Sequence, residues 1–340
     1  MAFYLRRREE DRFLEEKEIV SAVKINVIGI GGCGNNIINT LYRMGVSAKL
    51  IAMNTDASVL RRTECHARVL LGNPFSISRG ASGSPEVGAK AMEKSIEDAL
   101  NVIDDDVDVV IGIAGLGGGT GTGGLPVLFR ELGIRKPNVL KIAVVTFPLK
   151  EEGIERRENA KIGFQELMEV SDAIIPNAND ILVEKIKAIS ITEVFRVMDR
   201  RVARIVDSLI RLQTPALGPG VVNVDYSNIQ KIMSKSGLCF IGVGMERSIY
   251  NAFIRALKDD FAYSDLRGAR GAIVMFEGRE IDLDVSQIRK VTRYISEDLG
   301  IKEVFMGIRP TYELHEIRVS LLVAGITSRY VDEFIGGDLT

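Results

Sequence analysis

The chain has 340 residues, 46% of them apolar and 26% charged, with 44 basic residues against 46 acidic and a formal net charge of −2. That length accommodates two ordinary domains, and the near-neutral balance argues against a nucleic-acid binder, which carries a basic excess or a concentrated basic patch. Three cysteines, Cys33, Cys65 and Cys239, are far apart and odd in number. Neither a disulfide framework nor a metal-ligand spacing fits them, so a reducing, cytoplasmic compartment is expected.

The opening residues, MAFYLRRREEDRFLEEKE, do not make a secretory signal, because the apolar stretch is short and the charges follow it. Arg7 with Asp11 and Arg12 with Glu16 have helical pairing distances, so residues 1–23 read as a charged extension, a solvated helix or arm. No run of about twenty apolar residues occurs, and no membrane span is expected.

From residue 24, short apolar runs rich in β-branched residues set in: KINVIGI, KLIAMN, ARVLLG, VDVVIGIAG, LKIAVVTF and AIIPN. Between several of them lie segments of helical period, such as PEVGAKAMEKSIEDALNVI. This alternation predicts an α/β fold with a parallel sheet covered on both faces. Ligands of such sheets sit at the carboxyl ends of the strands. The aspartates of VIDDDVDVV read as a solvated turn with no metal.

A long amphipathic segment follows, SITEVFRVMDRRVARIVDSLIRLQT. It opens on a capping-box pattern, Ser190 to Glu193, and PALGPG ends it. Phe195, Met198, Val202, Ile205, Leu209 and Leu212 recur along it at helical spacing. LCFIGVGM, GAIVMFEG, VFMGIRP and IRVSLLVAGI, with two helical segments between them, then predict a smaller α/β unit. The final TSRYVDEFIGGDLT reads as a short tail with a frayed end.

Two glycine turns carry the chemistry. In AGLGGGTGTGG, residues 114–124, seven of eleven residues are glycine. Following a strand and opening a helix, such a turn offers several backbone N–H groups to an anion, which a Cβ would hold off. Thr120 and Thr122 can add hydroxyl donors, and no Lys follows the glycines as in a Walker A loop. The second turn, GIGGCGNN from Gly29 to Asn36, also fits a dinucleotide site, with NTD (Asn54 to Asp56) where a ribose-binding acid would lie. A Rossmann dinucleotide-dependent oxidoreductase is thus an alternative. It is weakened by the richer second loop and by having only two histidines, His66 and His315, neither near a loop suited to hydride chemistry.

GGGTGTGG with GIGGCGNN upstream resembles the tubulin/FtsZ GTPase superfamily, and the remaining motifs, in order from about residue 24 to residue 327, are similar to its FtsZ branch. The resemblance implies a Rossmann-like GTP-binding domain over residues 24–189, a central helix over 190–214 and a C-terminal α/β domain with a catalytic loop over 215–328. A short tail follows over 329–340. It also implies GTP or GDP as ligand, Mg²⁺ carried on the phosphates, and head-to-tail assembly of copies of the chain, at the division site or in cell shape. A paralogue of the same family and division adaptor proteins are the further partners it implies.

Carried onto this sequence, the first turn contributes Gly31, Gly32, Cys33, Gly34 and Asn35, and Asn54 and Asp56 lie near the nucleotide and its metal. In SRGASGSPEVG, Gly80 and Ala81 match the loop that senses the γ-phosphate. Ser82 falls on a family glycine, and Ile77 and its neighbours replace a Thr-Arg-Gly. The second turn contributes Gly115, Gly117, Gly118, Gly119, Thr120, Gly121, Thr122 and Gly123. In FPLKEEGIERR, Glu152 falls on a ribose-contacting acid and Arg156 on a phosphate-side arginine, a guanidinium fork suited to phosphate oxygens. Asn177, of Pro176-Asn177, matches a contact to the guanine and sugar. Phe195 and Asp199, four apart on one helix face, fall on the base-stacking ring and on the acceptor for guanine N1–H and N2–H₂, a donor pair that adenine lacks.

The same resemblance places acidic residues of the loop after the central helix against the γ-phosphate of a neighbouring subunit, where they orient the attacking water. The pattern there is N-x-D-[FY]-x-D, and this chain reads NVDYSNI. Asn223 and Asp225 match, but Asn228 replaces the second acid, and an amide is no useful base. Slow hydrolysis is therefore expected; the alternative is a GTP-binding structural or regulatory relative with little or none. No copy of the family's adaptor-binding peptide is recognisable, so the usual membrane tether is not expected.

Overall fold

The computed structural model describes residues 23–72, 80–186, 190–216, 218–311 and 314–337. The expectations for residues 1–22, for Ile77 and for residues 338–340 lie outside them.

Strands β1 (Ile25–Ile30), β2 (Lys49–Asn54), β3 (Ala67–Leu70), β4 (Val109–Gly115), β5 (Leu140–Phe147) and β6 (Ala173–Ala178) form where the apolar runs predict. All pair in parallel, in the spatial order β3-β2-β1-β4-β5-β6. Their continuous apolar character follows from burial on both faces, with every residue of β1 and β5 buried. One apolar layer packs Val27, Ile111 and Val144 against helix α1 (Gly31–Met44); the other packs Ile28, Val110 and Val145 under the helices of the opposite face.

Between the strands come α2 (Ala57–Arg62), α3 (Pro85–Lys94), α4 (Ile96–Asn101), α5 (Gly119–Arg135), α6 (Ile154–Val170) and α7 (Asn179–Lys185). The helix expected over PEVGAKAMEKSIEDALNVI is broken at Ser95. Its backbone leaves helical geometry (φ −110°, ψ 15°) and its hydroxyl accepts from Gly72 N–H at 2.9 Å. The central helix α8 (Ile191–Gln213) runs where predicted, and Ser190 caps it by accepting from Glu193 N–H at 3.3 Å. The reciprocal arm of the capping box is diverted, since the Glu193 carboxylate faces Arg196 and Arg200.

The second unit contains α9 (Tyr226–Met233), β7 (Gly237–Glu246), α10 (Ile249–Lys258), β8 (Ser264–Asp265), β9 (Gly271–Gly278), α11 (Val285–Arg293), β10 (Val304–Pro310), β11 (Ile317–Ala324) and β12 (Thr327–Ser328). Its sheet continues the first. β7 pairs with β6 in parallel only at Ala173 with Gly237 and Ile174 with Leu238, and order β10-β9-β11-β7 extends outward with β11 antiparallel to both neighbours.

Two sequence expectations change. The aspartates of VIDDDVDVV are not simply solvated: Asp104 accepts from Lys49 Nζ at 2.6 Å and from Asn26 Nδ2 at 2.8 Å, clamping the amino ends of β1 and β2. Residues 329–336 are not frayed but form helix α12 (Arg329–Gly336), capped by Ser328 and holding Val331 and Phe334 in the core. Tyr330 and Phe334 stand four apart on the face that packs inward.

Candidate functional site

The strand order 3-2-1-4-5-6 reverses direction of growth between β1 and β4, and a crevice opens there at the carboxyl ends. The two glycine turns follow these two adjacent strands. Each leads into a helix whose N-cap, Ile30 for α1 and Gly118 for α5, makes no side-chain capping bond, and neither first turn holds an acid. Two uncapped helix N-termini thus converge on one cleft of about 380 Å³. Their N–H groups and dipoles suit an anion of several charges.

Of the residues singled out in the sequence, Gly31, Gly32, Cys33, Gly115, Gly118, Gly119, Thr120 and Gly121 line this cleft, as do Glu152, Arg156, Phe195 and Asp199. A Cβ on Gly32 or Gly118 would meet nothing of the protein within 4 Å. At these two positions a side chain would point into space that only a ligand would contest.

The other glycines are bare for a different reason. A Cβ on Gly123 would lie 1.9 Å from Pro85 O, one on Gly119 2.6 Å from Ser84 O, and one on Gly88 2.1 Å from Gly119 O. Helix α3 crosses α5 at backbone contact, and these glycines permit it. A Cβ on Gly34 would likewise lie 2.6 Å from Ile113 O, and Gly117 (φ +96°) makes a turn against Arg156 O.

Several other expected residues stand behind the cleft. Thr122 is buried and its hydroxyl accepts from Gly117 N–H at 2.9 Å, shaping the loop instead of offering a donor to a ligand. Asn35 donates to Gly29 O at 3.1 Å and accepts from Asn54 Nδ2 at 2.6 Å, tying β1 to β2. Asp56 caps α2 through Ser58 and Val59 N–H, and the Ser58 hydroxyl first, then these two N–H groups, hold its carboxyl below the usual range. Thr55 shares a 2.7 Å hydroxyl contact with Thr120. Gly80 and Ser82 adopt positive φ (90° and 49°), and Ala81 is buried against the Gly119 position.

Asn177 does not face the cleft. It is fully buried, its Nδ2 donates to Val145 O and Ile175 O, and its Oδ1 accepts from Arg201 Nη1. The asparagine in the cleft wall is Asn179, whose buried Oδ1 has no hydrogen-bond partner. Because β6 runs on to Ala178 and α7 begins at once, the first residue past the strand's carboxyl end is Asn179, two after Asn177. Asn36, also in the cleft, was missed as well; it hydrogen-bonds Asp199.

Glu152 accepts from Leu149 N–H at 2.9 Å and from Arg156 Nη1 at 2.5 Å, so acid and guanidinium are held as a pair where the loop enters α6. Burial pushes the Asp199 carboxyl up to about 6, against hydrogen bonds from Asn36 and Cys33. The Cys33 thiol, 3.9 Å from Asp199 and 3.6 Å from Thr146, is pushed up to about 12, first by burial and then by Asp199. A half-buried carboxylate short of donors is a receptor for N–H groups.

The segment bearing Asn223, Asp225 and Asn228, a loop that runs into the first turn of α9, lies elsewhere. Tyr226 OH donates to Asp108 O at 3.0 Å, just before β4 begins, whereas the glycine turn follows its end. Seven strand residues of about 3.3 Å each put roughly 20 Å between the two. Asn223 is engaged by both arms with Ala216 at 2.9 Å, and Val222 pairs with Ile308. Asp225 is exposed at the N-cap of α9 with no side-chain capping bond.

Neither histidine nears the cleft: His66 accepts from Leu50 N–H at 2.8 Å beside β2, and His315 is exposed. The three cysteines are unpaired. Among the described residues no group of three or more His, Cys, Asp or Glu could hold a metal, and no helix is long and apolar enough to cross a membrane.

The profile of the tubulin/FtsZ family GTPase domain matches residues 24–187. The cell division protein FtsZ 1 of Pyrococcus horikoshii is 37% identical over 328 residues, covering 93% of this chain and 85% of that protein. An FtsZ dimer structure from M. jannaschii superposes with a TM-score of 0.83 at 34% identity, covering 93% of this chain and 92% of that one. CetZ2 of Haloferax volcanii shares the fold at a TM-score of 0.81 and 22% identity, covering 92% of this chain and 97% of that one.

Proposed function

The chain belongs to the tubulin/FtsZ family, and on that footing we propose that it binds GTP in the β1/β4 crevice, assembles head to tail and hydrolyses the nucleotide where two copies meet. It is a GTP-binding cytoskeletal protein of cell division and a GTPase. Phosphate oxygens are read by the N–H groups at the starts of α1 and α5, the sugar by Glu152 and Asn179, and the guanine by Phe195 and Asp199. Mg²⁺ fits as a passenger on the phosphate oxygens, a hard cation that takes oxygen ligands.

One observation carries the assembly: the cleft and the Asp225 loop lie at opposite ends of the same strand, roughly 20 Å apart, and cannot meet within one chain. Stacking along the strand direction would bring the exposed Asp225 of one copy to the terminal phosphate held by the next. There its carboxylate accepts a hydrogen bond from water and aims that water's oxygen at the phosphorus. The Asn228 amide can hold a water but cannot take its proton. That residue favours a second reading, in which the protein binds GTP and assembles with little turnover, alone or beside a paralogue of the family. Division adaptors remain proposed partners, docking on the assembled chain.

The test is phosphate release from GTP with Mg²⁺ against protein concentration. A rate per subunit near zero at low concentration and climbing past a threshold is expected of a shared site. A constant rate per subunit at every concentration would refute the shared site, and binding without release at any concentration would favour the second reading.

A further inference from the structure

We propose that helix α12 positions the sugar side of the nucleotide cleft, so that docking of this helix and nucleotide affinity are coupled; this rests on the reading of the cleft as a guanine-nucleotide site. Phe147, at the end of β5, is a cleft-wall residue on one side. On the other it packs against Phe334 (ring centroids 4.8 Å apart) and Tyr330 (5.5 Å), both in near edge-to-face geometry. The loop after Phe147 carries Glu152 and leads into α6, whose first turn bears Arg156 and the next residue, Arg157, which lies over the Phe334 ring at 5.0 Å.

Asp180 ties the same parts together. Its carboxylate accepts from Lys150 N–H at 2.9 Å, from Arg157 Nη1 at 3.3 Å and from Tyr330 OH at 3.4 Å. Its neighbour Asn179, whose buried Oδ1 has no hydrogen-bond partner, lines the cleft. So one carboxylate, gripped by α12, fixes both the start of the Glu152 loop and the residue beside Asn179. α12 itself is held at its start by the β12–β8 pairing of the second unit and by Ser328, which accepts from Val331 N–H at 3.1 Å. It is a strap from the C-terminal sheet to the back of the nucleotide cleft. Residues that act through others in this way are positioning residues. By reciprocity, nucleotide that favours the ordered loop must favour the docked helix by the same factor.

The experiment compares hydrogen exchange, nucleotide affinity and phosphate release for the full chain and its Phe334→Ala, Phe334→Leu and Tyr330→Phe variants. Without nucleotide, Phe334→Ala should speed exchange across residues 148–157 and 179–182 as well as in α12. The dissociation constant of a fluorescent GDP should rise about five- to 150-fold, the span of ordinary coupling free energies, while release per subunit at saturating GTP stays unchanged. Phe334→Leu should restore most of the affinity, and GDP should slow exchange in α12 of the unaltered chain. If Phe334→Ala frees α12 yet leaves exchange at 148–157 unchanged, the coupling is wrong. Should that variant not fold, Tyr330→Phe, which removes only the hydroxyl that reaches Asp180, decides by the same comparison of exchange in α12 and at 148–157. If the unaltered chain binds no guanine nucleotide, the reading of the cleft fails, while exchange in the 148–157 loop still decides the role of α12.

Discussion

Gly118 and Gly123 are five residues apart in one glycine run, and the structure separates what each does. At Gly118 the backbone is extended (φ −84°, ψ 174°), a conformation open to any residue, and an added Cβ meets no protein atom within 4 Å. Gly118→Val should therefore leave the melting temperature of the nucleotide-free protein within roughly 2 °C, a change of about 1 kcal/mol or less. It should cost one or more charge-assisted bonds from backbone N–H to phosphate, about 1.5–3 kcal/mol each, or about 10- to 150-fold in affinity. At Gly123 the Cβ would lie 1.9 Å from Pro85 O and 2.6 Å from Ala89 N, so α3 must retreat by more than an ångström. Gly123→Ala should cost about 3 kcal/mol through overpacking and lower the melting temperature by roughly 4 °C. Its nucleotide affinity, measured well below that temperature, should change much less. Thermal melts without nucleotide and titration with a fluorescent guanine nucleotide read the two effects separately. A Gly118→Val protein that melts far lower, or binds normally, would refute the assignment of that position to phosphate.

Asp199 should act as both specificity and pH determinant. Its raised value means that, between the ordinary carboxylate range and about 6, the folded protein keeps a proton the unfolded chain has lost. Nucleotide-free stability should accordingly fall as pH rises through that window, by about 1–3 kcal/mol after allowance for partial exposure, and level off above it. Guanine nucleotide, which needs the ionised form, should bind more tightly as pH rises through about 6; Asp199→Asn should flatten both trends and lose roughly 100-fold in GTP affinity with little effect on ATP. Identical pH profiles for the two proteins would contradict the role given to this carboxyl. Asn179→Ala should weaken guanine nucleotide by about tenfold without lowering the melting temperature. Asn177→Ala, which strips an acceptor from the buried Arg201, should do the reverse, destabilising by about 2 kcal/mol. Asn228→Asp should raise phosphate release severalfold, and unchanged turnover would mean the amide is not what limits the rate.

Most of the fold was legible because its signals are local. A strand buried on both faces must be apolar throughout, and β1, β2, β4, β5 and β6 announce themselves that way. The central helix is equally plain from its cap and its apolar stripe. The joining of two expected units into one sheet was not legible, since it rests on a two-residue pairing of β6 with β7 that leaves no periodicity. The docking of α12 had a signal that was passed over: Ser328 as a cap, then Tyr330, Val331 and Phe334 at helical spacing.

The site divides along the same line. Composition and order of the motifs determined by themselves that two glycine turns would follow two strands, and that Phe195 and Asp199 would share a helix face. They could not determine what each residue faces. Gly118 and Gly123 are chemically identical and nearly adjacent, yet one borders the cleft and the other the backbone of α3. Asn177 and Asn179 differ by one strand period, and only the length of β6 decides which is buried and which reaches the cleft wall. A residue's type and period are written in its own stretch of chain; its neighbour across space is supplied by another, and only the folded packing brings the two together.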